Sequence, residues 1–117
     1  MQKGRKIRNV IIGALFAGAL LAGCGKDTSN IAEGMQYVKE LDYQSALESF
    51  AKAQEAGEDA KLLARGEGIA YMGLTEYEEA EKSFLEALSY SNGLIEDMDY
   101  DINLYLAAVY TKTGQYA

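Results

Sequence analysis

The chain repeats itself at a fixed interval, and this periodicity limits its fold more than any other feature. Segment 27–60 aligns with segment 61–94 without a gap, and the shift that joins them is called the repeat interval below. Identical residues stand at Glu33/Glu67, Gly34/Gly68, Tyr37/Tyr71, Tyr43/Tyr77, Ala46/Ala80, Ser49/Ser83, Phe50/Phe84 and Ala53/Ala87. Repetition at intervals of about 20 to 50 residues is typical of solenoids, in which each unit buries its apolar face against its neighbour.

Each unit predicts two helices joined by a polar turn. In the first unit, Ile31, Met35 and Val38 recur at helical spacing, and a polar turn around Asp42 follows them. A second helical stripe comes after that turn and consists of Ala46, Leu47, Phe50 and Ala53. Because the second unit repeats this arrangement, the sequence predicts an all-α fold of stacked helix pairs.

Two further local patterns predict details of the packing and the turns. A Gly inside a helix costs about 1 kcal/mol relative to Ala, so its repetition at Gly34 and Gly68 predicts close approach by another helix. Thr75, with Glu78 at the third position after it, predicts a capping box at the start of the second helix of its unit.

The repeated positions resemble the tetratricopeptide repeat (TPR) family. The resemblance rests on Gly34, Tyr37, Tyr43, Ala46, Phe50 and Ala53, and again on Gly68, Tyr71, Tyr77, Ala80, Phe84 and Ala87. It implies a helix-turn-helix solenoid of two full repeats, 27–60 and 61–94, followed by a partial third repeat at 100–117. The Trp and Pro that the family often carries are replaced here by Asn30 and Ala64, and by Glu58 and Asn92.

The partial third repeat begins five residues later than the repeat interval predicts. With these five extra residues counted, Gly114 and Tyr116 match the turn of the earlier units. Leu106, Ala107 and Tyr110 occupy the packing positions of its first helix. The chain ends at Ala117, where a second helix is expected to begin. This ending favours an interpretation in which the chain is a fragment of a longer protein.

The N-terminal segment 1–23 is typical of a signal peptide. A basic segment, 1–9, precedes an apolar run, 10–22, which is shorter than the roughly 20 residues of a membrane-spanning helix. The end of this run, Leu21-Ala22-Gly23-Cys24, resembles the lipobox of bacterial lipoproteins.

The lipobox resemblance implies cleavage before Cys24 and a mature chain whose thiol carries a diacylglycerol, with an N-acyl chain as a further lipid. Two acyl chains anchor a protein stably, whereas one does not. Residues 24–30 would form a lipidated tether, and 31–117 would form the repeat body, exported and anchored to the outer face of a bacterial membrane. Some bacteria read an Asp after the cysteine as a retention signal, and Gly25 leaves the choice of membrane open.

The composition argues against several classes of function. The chain has no His and a single Cys, which removes the commonest general base and any intramolecular disulfide. From residue 24 onward, seven Lys and Arg face eighteen Asp and Glu, a net charge of −11 that opposes binding to nucleic acid. We therefore expect no enzymatic activity, no catalytic residues and no cofactor apart from the lipid.

The acidic segment 97–101 is similar to the start of an EF-hand calcium loop. Ile102 stands where that loop needs a Gly, and Ala108 stands where it needs a bidentate Glu. We therefore expect no metal site, and instead a solvated loop between repeats, whose acids lie near the N-terminus of the third repeat's helix and are favoured by its dipole.

The TPR resemblance implies a concave groove lined by the first helix of each repeat. The predicted groove residues are Ile31, Met35, Val38, Lys39, Leu62, Arg65, Ile69, Met72, Leu104 and Ala108, with Thr111 after them. Its cations are too few for the clamp with which some family members bind a peptide carboxylate. The apolar stripe indicates an amphipathic helix or an extended apolar peptide, with Met35 and Met72 as adaptable contacts.

Two functions remain open on this basis. In the first, the chain is a lipid-anchored scaffold outside the cytoplasm that holds a partner protein. In the second, it is the anchor-proximal spacer of a longer lipoprotein, whose active part lies beyond residue 117 and fills the groove. A third interpretation is binding of small ligands or cell-wall material. The nine Tyr would allow carbohydrate stacking, but most of them lie at packing positions.

Overall fold

The computed structural model describes residues 27–91, 93 and 95–114, and this part of the chain is all-α, as predicted. Its helices are α1 (Ser29–Lys39), α2 (Tyr43–Glu55), α3 (Ala60–Gly73), α4 (Tyr77–Ser89) and α5 (Asp97–Thr113). Consecutive helices pack on each other, and α3 also contacts both α1 and α5, so that α1, α3 and α5 form a continuous row. The predicted signal peptide and Cys24 lie outside the described residues.

The turn between the two helices has the same backbone hydrogen bond in both units. Asp42 N–H donates to the carbonyl of Tyr37, and one repeat interval later Glu76 N–H donates to the carbonyl of Tyr71, both at 2.9 Å. The residue before each donor is left-handed, with φ of 62° at Leu41 and 61° at Thr75. The two turns therefore reverse the chain by the same backbone path.

The residue directly after α5 has the same left-handed backbone conformation as a residue in each of those turns. Gly114 has a φ of 77°, and it corresponds to Thr75 once the five extra residues are added to the repeat interval. Its N–H donates to the carbonyl of Thr111, as the N–H of Thr75 donates to that of Met72. A glycine adopts this conformation without the steric cost that a side chain brings.

The predicted capping box at Thr75 is wrong. Helix α4 begins at Tyr77 with Glu76 as its N-cap, and the hydroxyl of Thr75 donates to the carbonyl of Leu74. The left-handed backbone at Thr75 places it in the turn rather than at the helix end. In the first unit Asp42 does cap its helix, since its carboxylate accepts from Ser45 N and Oγ at 3.1 and 2.8 Å.

We expect Thr75→Gly to raise the free energy of unfolding by up to about 1 kcal/mol. A left-handed backbone costs a residue with a side chain roughly 1–2 kcal/mol, and glycine offsets about half of this gain through its larger conformational entropy when unfolded. Urea denaturation followed by circular dichroism measures the change. Thr75→Ala is the matched control and should be near neutral, because the hydroxyl caps no helix; a loss of about 1 kcal/mol there would support the capping box instead.

Two phenylalanines form the centres of the core. The ring of Phe50 lies between Gly34 and Gly66, and a Cβ built at Gly66 would be 2.7 Å from it. The ring of Phe84 lies on Gly68 in the same way, where a Cβ would be 2.6 Å away. Both rings are fully buried. The close approach predicted from the repeated glycines is therefore present, and it joins the two helices of each unit.

The second core differs from the first at one position. Tyr105 on α5 corresponds to Gly66, again counting the five extra residues, and it stacks on Phe84. The two ring centroids are 5.5 Å apart and the ring planes differ by 5°. Where Phe50 touches a glycine of the next unit, Phe84 therefore touches an aromatic ring. Stacked aromatic pairs contribute about 0.5–1.5 kcal/mol beyond the area they bury, so this contact holds α5 firmly against the second unit.

Candidate functional site

The predicted groove residues lie along the row of α1, α3 and α5, but they are not equally accessible. Ile31 is 5% exposed and belongs to the first core. Met35, Val38 and Leu62 are partly buried against that core, and Ile69 and Met72 are partly buried against the second. Lys39 and Thr111 are exposed, and Ala108 is half-buried. The row thus presents a discontinuous apolar surface, to which Ile31 adds little.

Arg65 is engaged within the molecule rather than open to a ligand. Its Nε and Nη2 atoms lie 2.7 and 2.6 Å from Oδ2 of Asp101, and its guanidinium sits 5.7 Å from the ring centroid of Tyr105. These contacts join α3 to α5. The guanidinium would have to leave both of them to bind a partner.

A second charged contact joins the same two helices. Lys61 Nζ lies 2.7 Å from Oδ1 of Asp99 and 3.2 Å from Oε1 of Glu96. The other oxygen of Asp99 accepts from Glu96 N–H at 2.9 Å and completes a capping box at the start of α5. Lys61 and Asp99 are largely buried, so the pair fixes the position of the α5 N-terminus on α3.

The predicted loop at 97–101 is wrong, because these residues form the first turns of α5, but their predicted position at the N-terminus of that helix is confirmed. Acids are favoured in a first helical turn by the helix dipole, and here two of them also meet cations on α3. The paired residues are far apart in the chain, so no local pattern connects them. A visible signal was that the cations, Lys61 and Arg65, are one helical turn apart.

The Lys61 contact sets the acid–base behaviour of Asp99. The hydrogen bond from Lys61, followed by that from Glu96 N–H, lowers the pKa of Asp99 below its ordinary value of 3.8. In turn, the hydrogen bond to Asp99 raises the pKa of Lys61 above its ordinary value of 10.5. Both groups are thus charged over the whole neutral range.

Protonation of Asp99 should make the fold less stable in acid. Because the pKa of Asp99 is lower in the folded chain than in the unfolded chain, its ionised carboxylate stabilises the fold. This stabilisation is fully present above pH 3.8 and is lost as the pH falls through the pKa of Asp99 in the folded chain. We expect Asp99→Asn to lower the urea midpoint at pH 7 and to flatten its dependence on pH below about 4. Asp97→Asn is the control on the exposed side of the same turn, and it should leave the slope unchanged. An equal acid slope in Asp99→Asn and the parent would contradict this role.

An acidic cavity of about 390 Å³ lies where the two units meet. Its lining includes Glu58, Glu67, Glu86 and Tyr90. Burial, followed by the charge of Glu86, raises the pKa of Glu67, and the hydroxyl of Tyr90 donates to Glu86 at 3.0 Å. The residues lining the cavity include no Lys or Arg to balance these carboxylates.

The described residues give no direct sign of metal binding or membrane insertion. Residues 27–91, 93 and 95–114 contain no cluster of three or more groups suited to hold a metal ion. Within the same ranges, no helix has the length and apolar character needed to cross a bilayer.

The chain matches no protein-family model, no curated protein and no solved structure.

Proposed function

We propose that the chain is a lipid-anchored TPR protein that acts outside the cytoplasm as a scaffold for protein–protein interaction. The observation that carries the proposal is that one turn and one glycine–phenylalanine contact recur at the repeat interval. A stack of such units presents the first helices as a row, and this is the surface on which repeat proteins bind extended or helical ligands.

The apolar part of the row is the proposed ligand surface. Met35 and Val38 on α1 and Ile69 and Met72 on α3 are partly buried, so each still has surface to offer a ligand. Methionine side chains adapt to differently shaped apolar partners. Because Arg65 is held by Asp101, recognition would depend on apolar contact more than on charge. An amphipathic helix or an extended apolar peptide fits these properties.

The lipid anchor is supported by the lipobox resemblance at Cys24, and the first helix begins a few residues after it. Residues 25–28 separate Cys24 from α1. At about 3.3–3.6 Å per residue, such a segment spans less than about 20 Å. The repeat body would thus stand next to the bilayer, and its acidic surface would be repelled by anionic lipid headgroups.

Site-directed crosslinking tests the scaffold function. Ile69→Cys or Met35→Cys, carrying a photoreactive maleimide in the full chain in its native membrane, should capture a discrete partner. Glu48→Cys is the matched control, because it is exposed on α2, outside the row of first helices. Capture by the row positions but not by Glu48→Cys supports the scaffold. Empty crosslinks, or the same products from all three positions, would exclude it.

Lipid labelling tests the anchor. Cys24→Ala should abolish incorporation of a labelled fatty acid and leave an unprocessed precursor in the membrane. Normal labelling of Cys24→Ala would rule out this anchor. The intact mass of the detergent-extracted protein tests the alternative spacer function. A mass above that of segment 24–117 plus acyl chains would favour the spacer.

A further inference from the structure

Helix α5 exposes a stripe of side chains on the side that faces away from the core. Ile102, Leu106 and Val109 bury the opposite side against the second unit. The exposed stripe, named here the α5 face, consists of Asp97, Tyr100, Leu104, Ala107 and Thr111, which recur at helical spacing. Tyr100 and Leu104 are 63% and 73% exposed, so the middle of the face is apolar and open to solvent.

The same positions are covered in the earlier units. Ala107 corresponds to Gly68 in the second unit and to Gly34 in the first, and both glycines are covered by phenylalanine rings. Leu104 corresponds in the same way to Arg65, which is held against α5. Wherever the repeat is complete, a helix therefore packs on this face.

Ala107 determines what can cover the α5 face. A Cβ at Gly68 would lie 2.6 Å from the ring of Phe84, so a position that carries a Cβ cannot receive a phenylalanine in the same way. On the α5 face, the small side chain of Ala107 lies about one helical turn from the large, exposed side chain of Leu104. Such an arrangement is complementary to itself when two copies run in opposite directions.

The charges at the two ends of α5 are also complementary to themselves. The first turn carries Asp97, and the last turn carries Lys112, both exposed. When two α5 helices run antiparallel, with Leu104 of each opposite Ala107 of the other, each Lys112 comes close to Asp97 of the other copy. The two helix dipoles also oppose each other in this arrangement, which is the favourable orientation.

We propose that the α5 face is the interface of a homodimer in which two α5 helices pack antiparallel, with Leu104 of each copy against Ala107 of the other. The interface uses Leu104 and Thr111 of the predicted groove, but not the apolar ligand surface proposed on α1 and α3. A helix of 17 residues is about 25 Å long, which gives an interface below the roughly 1,200–2,000 Å² of stable complexes. The dimer is therefore weak in dilute solution and is favoured where chains are concentrated on a surface.

Disulfide trapping in the full chain tests the proposal. Two differently tagged chains, one with Leu104→Cys and the other with Ala107→Cys, are mixed and mildly oxidised at about 0.15 M salt, where charge repulsion between the acidic bodies is screened. The mixed disulfide should form several-fold more than any dimer of the parent, whose sole cysteine, Cys24, is acylated in the proposed lipoprotein. Leu85→Cys, exposed on α4, is the matched control and should stay at the parent level.

Charge reversal supplies a second measurement that leaves the apolar contact intact. Lys112→Glu should reduce the mixed disulfide several-fold, and Asp97→Lys in the same chain should restore it. Trapping no greater than in the Leu85→Cys control would overturn the proposal. So would slow alkylation of Leu104→Cys in the monomer, which would show that another segment of the same chain covers the face, or capture of a different protein at Leu104→Cys.

Discussion

Phe50→Ala is expected to lower the free energy of unfolding by about 3–5 kcal/mol, the usual cost of removing a buried phenylalanine. The ring is fully buried and lies between Gly34 of its own unit and Gly66 of the next. Its loss opens a cavity that the glycines cannot fill, because neither has a side chain. Since small domains are stable by about 5–15 kcal/mol, the variant should lose a large part of its stability.

Urea denaturation followed by circular dichroism measures this loss, with Leu85→Ala as the control. Leu85 is 45% exposed on α4, so its truncation should cost within about 1 kcal/mol. A Phe50→Ala variant that unfolds at the same urea concentration as Leu85→Ala would contradict the central position of the ring.

The glycine contact can be tested separately by a double-mutant cycle. Gly34→Ala alone places a Cβ into the Phe50 ring and should cost about 1–3 kcal/mol, the usual range for overpacking. In a Phe50→Leu background, the space beside Gly34 is larger, so the same change should cost less or even stabilise the helix. A coupling energy of about 1 kcal/mol or more is expected, and additive effects would mean that the two residues do not share this space.

The core was predictable from the sequence because the residues that form it are repeated. Gly34 and Gly68 are costly in a helix, so their repetition signals a packing requirement, and the structure places a phenylalanine on each. The helix pairs follow from the same repeat interval. Once the five extra residues are counted, Tyr105 aligns with Gly66, but the sequence alone does not show that its ring stacks on Phe84.

The turns and the charged contacts were less predictable, for two different reasons. Thr75 and Glu78 have the spacing of a capping box, but the backbone at Thr75 is left-handed and the helix starts later. The pairing of Lys61 with Asp99 depends on how α5 packs on α3, and local periodicity carries no information about that packing. The sequence therefore located the acidic segment but assigned it to a loop.

The candidate groove shows the same limit. The family resemblance selected positions on the first helices, and the structure does place these helices in one row. It also shows Ile31 inside the core and Arg65 bound to Asp101. Whether a side chain on such a row is available depends on its neighbours on the next helix. Arg65 is not available because it contacts Asp101 and Tyr105 on α5.

Glu58→Ala is expected to weaken the attachment of α1 by about 1.5–3 kcal/mol, the usual value of hydrogen bonds to a charged group. The Glu58 side chain lies in the turn between α2 and α3 and is buried. Its carboxylate accepts from Asn30 N and Nδ2 at 3.1 and 2.7 Å and from Ile31 N at 3.0 Å. Thr28, the N-cap residue of α1, makes no side-chain cap bond, so Glu58, near the end of the same unit, supplies the cap.

This cap is also where the proposed membrane tether meets the repeat body, since α1 begins a few residues after Cys24. Without it, the buried donors of Asn30 and Ile31 have no acceptor, and the first turn of α1 should fray. Hydrogen exchange should show faster exchange of the α1 amides in Glu58→Ala, with the α4 and α5 amides changed little. Glu58→Gln keeps one carbonyl oxygen in place and should fall between the parent and Glu58→Ala. Equal protection of α1 in all three proteins would mean that this helix is held by its apolar contacts alone.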